Sequence, residues 1–329
     1  MTKLRIISDL HYTCGINGPD YNKTYKQSGL WHYFGKKFQE NVDFTLIAGD
    51  ICEGIEKHKE FLKEFFSNQK VIFIDGNHSI YFVKEDNSKP ILSEVKQKLK
   101  EMFPLTHLFW KYLENDWCWI DENTAIIGST FYTDYKYCDL TLEELNKKAQ
   151  CWHTMAEFYG LKVDKFEPYK KLDTETIKFE TMSEARSRLN DFQWGKENTF
   201  TKLSPEYYLK LHKLAKKEVK RCHNEILSIN PNANIILITH HGLSPKMISE
   251  KYKKGLLNAS YVSDLENWVD KQLPGVKLVI SGHVHNRCDF TFGKRNIRYI
   301  VNPCGYIPYN EPFDKPKFNP NLIIDTNTL

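Results

Sequence analysis

No C-x-x-C pair occurs in these 329 residues, although eight cysteines are present (Cys14, Cys52, Cys118, Cys138, Cys151, Cys222, Cys288 and Cys304). Thiols scattered in this way argue against a structural zinc knot or a disulfide framework, and predict a reduced protein of the cytoplasm. No apolar run approaches the length of a membrane span, so no membrane partner is expected. The opening stretch, MTKLRIISDLHYT, lacks the apolar segment and small-residue cleavage site of a signal peptide. Neither sign of charge dominates, since 46 basic and 42 acidic residues leave a formal balance of +4. That balance accommodates an anionic substrate without requiring nucleic acid. Repeats, low-complexity tracts and flexible linkers are also lacking. What remains is one domain over 1–329 of ordinary globular composition, 41% hydrophobic and 27% charged.

Against these absences stand five apolar, β-prone runs, each ending in a short polar word. RIIS runs into Asp9-Leu10-His11, FTLIA into Gly49-Asp50, and VIFID into Gly76-Asn77-His78. IILIT runs into His240-His241, and LVIS into Gly282-His283-Val284-His285. Runs of this kind read as buried strands, and open α/β sheets place their chemistry beyond the carboxyl ends of their strands. HKEFLKEFFSN, with Phe61, Leu62, Phe65 and Phe66 at helical spacing, fits a crossover between parallel strands. An aromatic-rich segment runs to about residue 41, and residues 92–103 read as a helix. THLFWKYLENDWCWID and TAIIGSTFY read as two further strands.

Helix formers dominate from about 136 to 232, a stretch read as a helical insertion that caps the site. Pro205 after Ser204 predicts a helix start with an N-cap. One stripe of that helix carries Tyr208, Leu211, Ala215, Val219, Cys222 and Ile226. The other carries Lys210, Lys213, Lys217, Lys220 and Arg221, read as a solvated face. Strands return with NIILITH, KLVISGH, DFTFG and IRYIVNP before a Pro-rich tail.

The polar words carry metal chemistry. Asp9 and His11, two apart on an extended segment, are expected to face one side and share an ion. The two oxygens of Asp50 can bridge two cations, and Asn77 offers a neutral carbonyl oxygen. His240, His283 and His285 add imidazoles, and this mixed set suits a borderline transition metal better than magnesium or calcium. Taken singly, each word has a bland reading as a strand-end hydrogen bond or a helix cap. Together, in one order, they do not.

The order D-x-H, G-D, G-N-H, H, G-H-x-H resembles the calcineurin-like metallophosphoesterase superfamily. AIIGSTFYTDY, RLNDFQWG, ILITHHGLSP, SYVSDLENWVD, LVISGHVHNRCDF and VNPCGY extend the likeness over nearly the whole chain, toward bacterial and phage phosphoesterases of undefined substrate. The resemblance implies a two-sheet α/β sandwich flanked by helices, with a dinuclear site at the sheet ends. It implies that Asp9, His11, Asp50 and His285 hold one metal, and that Asp50, Asn77, His240 and His283 hold the other. His78 would be catalytic, as proton donor or charge stabiliser at the phosphate. His241 is expected to orient its neighbour, to pack, or to contact substrate. Two divalent ions are implied, with manganese the leading expectation and iron, nickel, cobalt and zinc compatible with the ligands. A water they activate would attack phosphorus in line.

Two positions depart from the pattern: Ser79 replaces the acidic residue after G-N-H, and Cys304 replaces the arginine of N-P-R-G-Y. Neither is a metal ligand, so both bear on rate and substrate. The first functional expectation is a phosphomonoesterase or phosphodiesterase acting on a nucleotide or small molecule. A nuclease or polynucleotide phosphatase on the same site is the alternative, and would need a basic groove with aromatic platforms. A non-catalytic binding scaffold is the third reading, and the full ligand set disfavours it.

Overall fold

The computed structural model describes residues 1–12, 41–84, 86–159, 166–306 and 318–329. The aromatic-rich segment before residue 41, with Cys14, and most of the Pro-rich tail lie outside the described residues. Two sheets form the molecule. In the first, β1 (Lys3–Ile7), β2 (Phe44–Ala48), β3 (Val71–Ile74) and β4 (Trp110–Tyr112) run parallel, and β11 (Ile323–Asp325) lies antiparallel on the free edge of β1. The second has the order β5-β6-β7-β8-β10-β9, from β5 (Asp116–Trp119), β6 (Thr124–Ser129), β7 (Asn234–Thr239), β8 (Val276–Ser281), β9 (Cys288–Phe292) and β10 (Ile297–Val301). Its four inner strands are parallel and its two edge strands antiparallel.

Side-chain alternation explains the layering. Leu4, Ile6, Leu46, Ile72 and Ile74 meet Ile126, Ile236, Ile238, Leu278 and Ile280 between the sheets. The intervening Ile7, Ile47 and Phe73 pack under α1 (Ile55–Phe66) and α2 (Leu92–Met102), against Phe61, Leu62, Val95 and Leu99. With both faces of each sheet covered, the strands are continuous apolar runs. Each buried Ile or Leu contributes about 1.5–3 kcal/mol. The stretch THLFWKYLENDWCWID holds two strands rather than one. β4 joins the first sheet and β5 the second, and Asn115 between them adopts φ 56° where the chain changes sheets.

The helix-rich stretch divides in two. Ser204 caps α6 (Pro205–Ile229) by accepting from the Tyr207 N–H at 3.2 Å, and Pro205 sits in the first turn. Ala215, Val219, Cys222 and Ile226 of α6 pack with Ile127 and Leu237 on the outer face of the second sheet, so α6 is a core layer. Lys210, Lys213 and Lys217 are exposed on its far side. The site instead borders α4 (Thr174–Arg188) and α5 (Asp191–Trp194), which follow α3 (Leu142–Phe158). α7 (Glu266–Gln272) completes the outer layer through Val269. Among the described residues the cysteines are free thiols, and no helix is long and apolar enough to cross a membrane.

Candidate metal centre

Asp9 and His11 follow β1, Asp50 follows β2, and Asn77 and His78 open the short 3-10 turn Asn77–Ile80 after β3. His240 follows β7, and His283 and His285 follow β8. The carboxyl ends of three strands from one sheet and two from the other thus face a common space. Strand alternation does not aim the side chains, because β1 stops at Ile7. Asp9 (φ 51°), His11 (44°), Asp50 (49°), His283 (65°) and His285 (45°) all sit in the left-handed region. Such conformations cost roughly 1–3 kcal/mol each and persist where the surroundings hold them. Here the Asp9 N–H donates to Gly49 O at 3.1 Å, the His11 N–H to Asp50 O at 2.9 Å, and the His283 N–H to Asp9 Oδ1 at 2.7 Å. Glycine is required at Gly76, where a Cβ would lie 2.0 Å from Asp50 Oδ1, and at Gly49, where it would lie 2.3 Å from His240 Nδ1.

Among the described residues, three sets of donor atoms each converge within 4.8 Å: Asp9/His11/His285, His11/Asp50/His78 and Asp50/His240/His283. In the first, His11 Nε2 lies 2.9 Å from His285 Nε2, which is 3.6 Å from Asp9 Oδ1. In the last, His240 Nε2 lies 3.3 Å from Asp50 Oδ2 and 3.0 Å from Asn77 Oδ1. Asp50 is common to the second and third sets, and His11 to the first and second. Sequence reasoning placed His78 outside the ligands; here its Nε2 is 3.9 Å from Asp50 Oδ2, the same distance as His11 Nε2.

The electrostatics favour neutral imidazoles at His11 and His283 and a charged one at His240, against the Asp50 carboxylate. Burial, then His78, hold His11 well below its usual range, and burial, then His241, do the same to His283. Burial alone would raise Asp50, but His240 and then His78 outweigh it and keep the carboxyl well below normal. Burial alone would lower His240, yet the Asp50 carboxylate beside it pushes it up to about 9. The neutral rings of His11 and His283 present lone pairs beside carboxylates that only accept, so acceptors converge at the centre. That donor set fits divalent cations, which would satisfy the converging lone pairs.

A family model described as calcineurin-like phosphoesterase matches residues 2–287. The chain belongs to this family. It is accordingly a metal-dependent phosphoric ester hydrolase, of a family that works with divalent metals on phosphorylated substrates. The phosphopantetheinyl hydrolase of Mycobacterium tuberculosis shares the fold, with a TM-score of 0.61, 17% identity, and coverage of 97% of this chain and 94% of that one. A dimetal phosphatase from Danio rerio aligns with a TM-score of 0.39 and 11% identity over 91% of this chain and 86% of its own. No curated protein sequence matches.

Several groups around the phosphoesterase centre lie outside the ligand motifs. Asp191 accepts from Asn77 Nδ2 at 3.0 Å, from Tyr208 at 3.2 Å and from the Tyr81 hydroxyl. Glu53 Oε1 lies 3.6 Å from His78 Nδ1, so a carboxylate three residues after Asp50 stands beside the histidine that Ser79 leaves without an acidic neighbour. Ser79 turns away, donating to Gly76 O at 2.9 Å. Tyr306 Oη is 3.0 Å from His78 Nε2, and its ring centroid is 4.3 Å from that of His11. The Gly-Asp-x-x-Glu spacing could have revealed Glu53, whereas nothing local links Asp191 to Asn77.

His241 lies behind the centre. It is buried, its Nδ1 is 3.2 Å from Thr130 O, and its ring is 4.4 Å from that of His283. Burial, reinforced by His240, lowers it to about 3. That place supports His283 and gives no contact with the cavity. The cavity itself is about 550 Å³, with Asp50, Asn77 and His283 in its floor. Cys304 is buried, and the guanidinium in the wall is that of Arg188.

Proposed function

We propose that this phosphoesterase hydrolyses a mono- or diester of a nucleotide or other small phosphorylated molecule, with two divalent transition-metal ions. The observation that carries this is Asp50, which belongs to the His240/His283 set and whose Oδ2 lies 3.9 Å from His11 Nε2 of the Asp9/His11/His285 set. Asp9, His11, Asp50 and His285 would hold one ion, and Asp50, Asn77, His240 and His283 the other. When bound, such ions polarise phosphoryl oxygens and make an attacking water more acidic. The chain's own groups do the rest. His78 lines the cavity, and Glu53 beside Nδ1 orients the ring so that Nε2 can pass a proton to the leaving oxygen. Tyr306 Oη, 3.0 Å from Nε2, lies at the same edge and holds that nitrogen in place through a hydrogen bond. The 188–191 segment after α4 and the loop near Tyr252 and Tyr261 would narrow the crevice and limit water around the ester.

A cavity of about 550 Å³ supports a small ester. The exposed lysines of α6 do not line it, so the polynucleotide reading gains no support from them. The test is hydrolysis of p-nitrophenyl phosphate and bis-p-nitrophenyl phosphate by metal-stripped protein resupplied with manganese, iron, cobalt, nickel or zinc. Metal-dependent turnover that is lost in Asp50→Ala is expected, and the ratio of the two esters separates monoesterase from diesterase. Turnover that is indifferent to metal, or retained in Asp50→Ala, would overturn the reading.

A further inference from the structure

The cavity wall combines tyrosines, asparagines and aliphatic side chains with few permanently charged groups. Among the described residues that line it, Arg188 is the sole lysine or arginine. It ends α4, three positions before Asp191, whose carboxylate is anchored on Asn77 in the floor. Three residues span at most about 11 Å of backbone, so the guanidinium is tied within small-molecule reach of the reacting phosphorus. It is not at the floor: Asp50 and Asn77 are 2% and 4% exposed, whereas the Arg188 side chain is 58% exposed. Its Nη1 donates to Glu184 Oε1 at 2.8 Å, one turn back on the helix, which orients the fork and leaves its other donors for an anion. Across the cavity stand Tyr261, stacked on His283 with centroids 4.6 Å apart, and the amide of Asn258.

Resting on the phosphoesterase reading above, we infer that Arg188 is a specificity residue that binds a second phosphate group on the substrate. The preferred ester then carries two phosphates, one at the floor and one at the mouth. The position explains why the charge is at the rim: a guanidinium that served only the scissile phosphate would be buried with the other floor groups. An exposed guanidinium can instead discriminate between alcohols that do and do not end in an anion.

The experiment is calorimetric titration of the manganese-loaded protein with alkane-α,ω-bisphosphonates of roughly three to eight carbons, each against the alkylphosphonate of equal length. The readout is the ratio of dissociation constants within each protein, which does not depend on turnover. The wild type is expected to favour the bisphosphonate of matching length by about tenfold. Arg188→Ala should reduce that preference to the statistical advantage of two equivalent ends, and Arg188→Lys should restore most of it. Preference at no length in the wild type, or an equal preference in Arg188→Ala, overturns the inference. Turnover of p-nitrophenyl phosphate is scored separately, so that its absence counts against the phosphoesterase reading and not against the second anion site.

Discussion

Asp191 holds Asn77 by the amide nitrogen, Oδ1 to Nδ2 at 3.0 Å, across 114 positions of sequence. The Tyr81 hydroxyl takes the same amide nitrogen at 3.0 Å, and with the donor end fixed the Asn77 oxygen faces His240 at 3.0 Å. An asparagine free to flip would present donors to the metal half of the time. Asp191→Ala is therefore expected to weaken metal affinity by about 10–100-fold without unfolding the chain. Metal titration with circular dichroism alongside checks this, and unchanged affinity would show that Asn77 needs no such support.

Asp50→Ala and His240→Ala should each remove bound metal and hydrolysis together, because each deletes a group at the centre of the cluster. Gly76→Ala is expected to act like them, since its Cβ would lie 2.0 Å from Asp50 Oδ1 and drive that carboxylate aside. Elemental analysis of the purified variants is the measurement. Full metal content with normal turnover in any of the three would contradict the assignment.

His78→Ala should keep its metal and slow turnover by roughly 10²–10⁴-fold, most for esters with poor leaving groups. Glu53→Gln and Tyr306→Phe are expected to give smaller losses of the same leaving-group-dependent kind, because each acts through the His78 ring. A series of substituted phenyl phosphates reads the slope. Loss of metal from His78→Ala would instead make it a ligand, as its place within the His11/Asp50/His78 set allows.

Beneath the site, Lys96 Nζ reaches Glu114 at 2.7 Å, Thr130 Oγ1 at 2.6 Å and Asp75 at 3.4 Å, and Tyr112 donates to Asp75 at 2.7 Å. Lys96→Met strands two buried carboxylates and should cost about 3–5 kcal/mol in a urea unfolding measurement. Burial alone would raise the Asp75 carboxyl, but Lys96, then Thr130 and Tyr112, outweigh it and hold it below the ordinary carboxylate value. A folded value below the unfolded one means the unfolded chain takes up the proton first on acidification. The stabilisation is complete above the ordinary carboxylate range and is lost as pH falls through it toward the folded value. Urea midpoints between neutral pH and pH ~3 should show this loss, and Asp75→Asn should flatten it.

Much was legible from residue order alone, because strand and helix formation are local. The runs before Asp9, Asp50, Asn77, His240 and His283 are strands, Ser204 and Pro205 begin a helix, and the five polar words name the family that the match over residues 2–287 bears out. Local pattern did not determine how the side chains are aimed. Left-handed turns at Asp9 and His11, held by backbone bonds to Gly49 and Asp50, replace the strand alternation that residue spacing suggested. Nor could it separate α6, buried on the second sheet, from α4 and α5 at the cavity, since all three are helix-forming and amphipathic faces do not name their partners. Glu53 beside His78, Asp191 behind Asn77 and Arg188 at the mouth are relationships in space between segments brought together by the packing of two sheets. The candidate ligands were therefore legible in the order of residues, and their orientation, support and access were decided by tertiary packing, because contact across a hundred residues leaves no periodic trace in the chain.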